Sequence, residues 1–239
     1  MKNLTPVIAI IIIACFAIQA WQPVLAGTWR DDFEDKDTRE WKIFNLDRQV
    51  EKWWVNDGEA VGEIFLPGFM SLWLTGELTW KNYSLSCRAK LVEDKNEPPS
   101  VGLTLHDRGE EDSRYLFFID YVFGTVRIVK ALRNNWSPVI YEFNAEIDTW
   151  YELTATIHED GTLEFQIDDE VFTVVDDDPL KGGQAGLVVA DGQAHFDDVE
   201  ITGPNIKNGG PGKPRPVEPR TKLTTTWGII KKGNTIKPR

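Results

Sequence analysis

Between Thr28 and Thr202 apolar and polar residues alternate in short stretches, and a turn signal cuts each stretch off. Asn56-Asp57-Gly58 separates Glu51–Val55 from Glu59–Leu66, and Phe123-Gly124 separates Tyr115–Val122 from Thr125–Leu132. Glu159-Asp160-Gly161 divides Trp150–His158 from Thr162–Asp168. A period of two sends successive side chains to opposite faces, so each stretch can bury one face and wet the other. Ser71–Thr75, Tyr83–Val92, Val101–His106, Pro138–Glu142, Val171–Val175 and Gln184–Ala190 follow the same rule. Tyr115–Val122 is apolar almost throughout, which marks a central strand buried on both faces. No segment sustains a helical period. Roughly a dozen short strands at regular spacing predict an all-β sandwich of two antiparallel sheets.

The patterned region opens on Thr28–Asp35 and closes on Ala194–Gly203. First and last strands of β domains often pair, and both of these carry carboxylates. In the closing strand Asp197 and Asp198 interrupt the apolar set Phe196, Val199 and Ile201. Adjacent carboxylates there require a cation, hydrogen-bond donors or a bulge.

The flanks differ in kind. Lys2 followed by the apolar run Val7–Ala20 and by Val24-Leu25-Ala26 has the order of a secretory signal peptide, with cleavage after Ala26. Two alternatives stay open: a lipoprotein box ending at Cys15, and retention as an uncleaved anchor. Residues 204–239 are rich in Pro, Gly and Lys and read as a linker and basic tail. Within it Lys222–Lys232 (KLTTTWGIIKK) holds a small apolar island suited to docking at a cell surface. The expected divisions are therefore 1–26, 27–203 and 204–239, in a secreted protein.

Charge follows the same divisions. Of the net −12, residues 1–26 contribute +1 and residues 204–239 contribute +8, which leaves −21 for residues 27–203. So acidic a body argues against nucleic-acid binding by the domain. The two cysteines are Cys15 and Cys87. Cleavage would leave one thiol and no internal disulfide. Cys87 shares an alternation face with Tyr83, Leu85, Ala89 and Leu91 and reads as a small buried hydrophobe.

Several stretches in order carry a family likeness: DDFED, WWVNDGEAVGE, SLWLTGELTWKNYSLSCRAKL, RYLFFIDY, WYELTATIHEDGTLEFQIDDE and GQAGLVVADGQAHFDDVEI. Together, over residues 28–202, they resemble the concanavalin A-like (LamG-type) jelly roll. The likeness is to its bacterial branch related to glycoside hydrolase family 16 and the 3-keto-disaccharide hydrolase domain. The resemblance implies two curved sheets whose concave side can hold a sugar chain. It also implies a structural calcium, with ligands at the positions of Glu34, Gly58 and Asp197. Hard cations take such carboxylate and carbonyl oxygens.

The catalytic pattern of family 16 places acids at alternate positions of one strand, so that they share the cleft face. Glu93–Glu97 has the wrong spacing, Glu164–Asp168 lacks the middle acid, and Asp168-Asp169-Glu170 is a turn signal. His106, His158 and His195 lie far apart, without a nucleophile motif. The expected function is thus a carbohydrate-binding or adhesion module whose partner is a glycan. The alternative is a glycoside-active enzyme of the 3-keto-disaccharide hydrolase type with a concave-face site. Flat rings and planar polar groups recognise sugars, and Trp73, His106, Arg108, Tyr115, Asp120, Tyr121 and Trp136 are the expected ligand-binding residues. Trp53, Trp54, Trp80 and Trp150 read as core or strand-edge packing.

Overall fold

A computed structural model describes residues 26–45, 51–64, 68–92, 99–109, 113–133 and 135–212 of the chain. The expected export segment before Ala26 and the Lys222–Lys232 island lie outside them. Among the described residues there are fifteen strands and no α-helix. In chain order they are β1 (Gly27–Asp31), β2 (Lys42–Asn45), β3 (Glu51–Asn56), β4 (Glu59–Ile64) and β5 (Met70–Thr75). Next come β6 (Ser84–Val92), β7 (Ser100–Asp107), β8 (Ser113–Asp120), β9 (Thr125–Leu132) and β10 (Asn135–Glu142). The series ends with β11 (Trp150–Ile157), β12 (Thr162–Ile167), β13 (Glu170–Val175), β14 (Gln184–Ala190) and β15 (Gln193–Gly203).

The strands form two antiparallel sheets. One has the order β13-β12-β11-β6-β15-β4-β3, with β1 also on β15; the other runs β10-β9-β8-β7-β14-β5-β2. We call them the first and second sheets. Inward side chains meet in one core, to which β6 gives Leu85, Cys87, Ala89 and Leu91 and β8 gives Tyr115, Phe117 and Ile119. Cys87 is buried, as its alternation face predicts. The outer face of the first sheet is polar, so β6 alternates cleanly between buried and half-buried positions. The second sheet differs. Leu72, Leu74, Leu116, Phe118, Val129 and Val188 form another shielded apolar cluster on its outer face, with Phe44 and Met70 packed against them. Both faces of β7 and β8 are consequently buried.

The last strand organises the first sheet. Along one edge β15 pairs with β6. Along the other it pairs with β4 through Gln193–Phe196 and then with β1 through Val199–Gly203. The exchange of partner falls at a bulge between Asp197 and Glu200, where Asp198 takes a left-handed φ of 56°. First and last strands therefore pair, and the acidic doublet sits at the bulge between them.

The chain stays in register with the sandwich beyond Gly203. The Arg30 N–H donates to the Gly209 carbonyl, the Gly209 N–H to the Thr28 carbonyl, and the Gly212 N–H to the Arg30 carbonyl, each at 3.0 Å. Ile206 is buried. Gly27 permits this approach, because a Cβ there would lie 1.8 Å from the Ile206 carbonyl oxygen. A boundary at Gly203 thus falls short: residues 204–212 lie against β1, since that strand's backbone groups on its far side need partners.

Candidate functional site

The seven expected ligand residues do not converge. Trp73 lies in the core, where it stacks on Trp41 at 4.9 Å and Trp53 at 5.3 Å and is 4% exposed. Tyr115 is wholly buried; its hydroxyl donates to Asp176 at 2.5 Å and accepts the Leu180 N–H at 2.9 Å. Both rings point between the sheets, because their parity on β5 and β8 is that of the core. Neither can stack on a sugar. Asp120 is closed off by an ion pair to Arg127 at 2.8 Å, and burial still pushes its carboxyl upward. Tyr121 packs on the core from the turn after β8. Trp136 stands on the edge strand β10 opposite Ala131, 43% exposed and two strands away from β8, which carries Tyr115 and Asp120.

His106 and Arg108 come together at the end of β7, beneath the loop from β13 to β14. His106 Nδ1 lies 3.1 Å from the Leu180 carbonyl, and Arg108 donates to the Gly182 carbonyl at 3.3 Å. A carbonyl only accepts, so Nδ1 carries the proton and Nε2 is the bare lone pair. Nε2 is buried without a hydrogen-bond partner among the described residues. Burial pushes the imidazole down to about 4, with the Leu180 bond opposing and nearby Lys81 assisting. His106 lines a small cleft of about 130 Å³ with Lys81, His158 and Leu180; Arg108 lines a separate one of about 620 Å³ with Lys130, Arg133, Lys181, Asp178, Leu132 and Leu180. Lys130 is committed to Asp176 at 2.8 Å. Alternation also missed a buried ion pair nearby, Arg114 to Asp107 at 2.9 Å, in which Asp107 further accepts from Thr104.

A second cleft has the aromatic and planar polar lining that suits a sugar. It measures about 310 Å³ and lies between the start of β1, the Gly76–Trp80 turn and the strap 207–209. Half-buried Trp29 supplies the accessible apolar surface, with Trp80, 6% exposed, closing the cleft from the core; Glu40, Glu77, Lys207 and Asn208 supply hydrogen-bonding groups. Local structure fixes each part. The Trp80 ring packs onto Gly76, whose φ of +91° and bare Cα let the indole approach to where a Cβ would be 2.1 Å away. Asn208 is anchored by accepting the Thr28 N–H at 2.8 Å, and Lys207 reaches Glu77 at 3.3 Å. Two of these residues belong to the stretch read from sequence as linker; Trp80, read as packing, is indeed a core ring. The apolar Ile206 within that Gly- and Pro-rich stretch was the available signal.

The acidic seam is real. A Cβ on Gly58, in the β3–β4 turn at φ +79°, would meet Glu34 Oε1 at 2.8 Å, so Glu34 stands over that turn. Asp197 Oδ1 accepts the Asp198 N–H at 2.6 Å, and Oδ2 faces Arg88 at 3.4 Å. Burial pushes the Asp197 carboxyl up, and the charges of Asp198 and Glu59 add to this against the Asp198 N–H and Arg88. Asp31, 1% exposed beneath the seam, is raised to about 6 by burial although Trp41 and the Phe33 N–H both donate to it. Among the described residues no three His, Cys, Asp or Glu side chains form a metal cluster. The expected set instead mixes carbonyls with one carboxylate. Glu34 stands over the Gly58 turn, whereas Asp197 faces Arg88 and the Asp198 N–H; carbonyl and carboxylate oxygens of this kind are the ligands a hard cation takes.

No protein-family model and no curated protein matches the chain. Solved structures do. Carbohydrate binding module CBM66 from Bacillus subtilis superposes with a TM-score of 0.58 at 19% identity, over 67% of this chain and 94% of that one. A Bacillus licheniformis beta-glucanase gives 0.56 at 10% identity, over 74% and 98%. A Bacillus subtilis protein of unknown function with a galectin-like fold gives 0.57 at 12% identity, over 72% and 94%. Likeness at such identities speaks to architecture. The two antiparallel sheets of this chain form a concanavalin A-like jelly-roll sandwich.

Proposed function

We propose that this protein is a secreted carbohydrate-binding module that seats a glycan against Trp29, in the cleft that the Gly76–Trp80 turn and residues 207–209 enclose. The observation that carries the reading is the lining of that cleft: the half-buried Trp29 indole, backed by the core ring of Trp80, beside two carboxylates, a side-chain amide and an ammonium. Indole faces take the C–H faces of a pyranose, and planar acceptors and donors take its hydroxyls. The fold supports the reading, since solved structures of this architecture include a carbohydrate binding module and glucanases. Binding without bond cleavage is favoured because Glu40 and Glu77 sit on turns rather than at alternate positions of one strand. The test is retardation of the full chain in gels containing β-1,3-1,4-glucan, β-1,3-glucan, levan or galactan. Trp29→Ala should weaken the interaction at least tenfold and leave the fold intact. Retention of full affinity in Trp29→Ala would remove the cleft as the site.

The same reading includes export with cleavage after Ala26, and the basic tail as a surface-docking segment. It also includes a structural calcium held by the carbonyls of Glu34 and Gly58 and the carboxylate of Asp197. Bound there, the ion would offset the mutual repulsion of the seam carboxylates. N-terminal sequencing of the exported chain tests the first element, and chelation the last.

A further inference from the structure

We propose that the outer face of the first sheet is a second binding site, a flat platform for an extended, uncharged glycan chain. It rests on the reading of the domain as a glycan binder, not on the Trp29–Trp80 cleft being the site.

The platform follows from register. Trp150 on β11 faces Lys90 on β6, Lys90 faces His195 on β15, His195 faces Val61 on β4, and Val61 faces Trp54 on β3. Cross-strand partners share a face, so these five residues form one row across five adjacent strands with an indole at each end. At about 4.8 Å per strand, four steps put the terminal positions about 19 Å apart. One monosaccharide cannot touch both rings; a linked chain lying across the strands can.

The rings are held and partly open. Both indoles are half-buried on a solvated face. The Lys52 ammonium lies 4.5 Å from the centre of the Trp54 ring, and Arg88 and Lys90 lie 4.6 and 4.7 Å from that of Trp150. Cation–π contacts of this kind fix ring orientation before a ligand arrives, which lowers the ordering cost of binding. Between the rings lie planar polar groups: His195 Nδ1 bonds Glu59 at 2.6 Å, and Nε2 approaches Gln193 at 3.4 Å.

Charge complementarity selects the ligand class. Arg88, Lys90 and Lys52 alternate on this face with Glu59, Glu63, Glu152 and Asp197. A polyanion would meet the four carboxylates and a polycation the three cations. A neutral polymer rich in hydroxyls finds donors and acceptors without like-charge repulsion.

The experiment uses the full chain in the same four polysaccharide gels, with Trp54→Ala, Trp150→Ala, Trp54→Tyr and Trp150→Tyr, alongside short oligosaccharides cut from the retained polymer. The proposal expects each alanine variant to lose at least tenfold in affinity for the polymer. It expects each tyrosine variant to keep most of that affinity, and binding of a disaccharide to be unchanged in all four. Thermal melts of the variants separate lost contact from lost fold, and the tyrosine variants test the platform where an alanine variant melts early. Polymer affinity unchanged in both alanine variants overturns the platform and leaves the cleft standing. Wild-type chain retarded by none of the polymers overturns both.

Discussion

His106 is a neutral imidazole enforced by its surroundings, and that has a consequence for stability. Its folded pKa lies at about 4 against 6.5 for an ordinary histidine. A depressed value means that the folded state binds the proton less readily than the unfolded state. The stability this contributes is fully present above about pH 6.5 and is lost as pH falls through 4. At 1.36 kcal/mol per unit the swing is on the order of 3 kcal/mol. His106→Gln cannot titrate, so its stability deficit against the wild type should shrink by roughly that amount between pH 7 and pH 4 in urea denaturation. A deficit independent of pH would show that the imidazole is not held neutral. Trp73→Ala should cost about 3–5 kcal/mol in the same measurement, because it empties the centre of an aromatic stack. Single residues were where the sequence was hardest to read. Alternation fixes which strand face a ring takes, but which face becomes core depends on pairings made elsewhere, and Trp73 and Tyr115 fell on the inner side. Arg114 and Asp107 were invisible for the complementary reason: charged residues in strands normally mark solvent, and these two mark a buried pair.

The elements were far more legible. Strand ends follow turn residues, and Asn56-Asp57-Gly58, Phe123-Gly124 and Glu159-Asp160-Gly161 all close hairpins as read. Among the described strands only the short β2 escaped, since Lys42–Asn45 is too brief to show a period. The strap after Gly203 escaped because backbone pairing to β1 needs no apolar pattern beyond Ile206. Its role is testable. A chain ending at Gly203 loses Ile206, worth about 1.5–3 kcal/mol when buried, and the three backbone bonds to β1. Differential scanning calorimetry should place its Tm about 5–10 °C below that of a chain ending at Gly212, at roughly 2–4 °C per kcal/mol. Equal melting of the two would show that the strap contributes nothing to the sandwich. The bulge at Asp197 and Asp198 was one of three ways the sequence left open for the acidic doublet, and the structure combines it with donors from Arg88 and the Asp198 N–H.

At the scale of the whole molecule the controlling fact is a body of net charge −21 whose first and last strands meet at a carboxylate-rich corner. A calcium ion bound only to the folded state at a hundredfold excess over its Kd would add about 2.7 kcal/mol. A chelator should then lower the Tm, added calcium should restore it, and Asp197→Asn should abolish most of the dependence. A wild-type melting curve indifferent to the chelator would leave Arg88 as the counter-charge of Asp197. The fold was legible at this scale because a dozen alternating segments admit few architectures; the ligand was not, because sugar-binding rings and core rings are the same residue types. The central claim is that the domain holds a glycan without cutting it. It is tested most directly by incubating the full chain with the polysaccharide that retards it and following binding and new reducing ends in one sample. The account predicts saturable binding with no increase in reducing ends over a protein-free control. Reducing ends that grow in proportion to protein and time would contradict it.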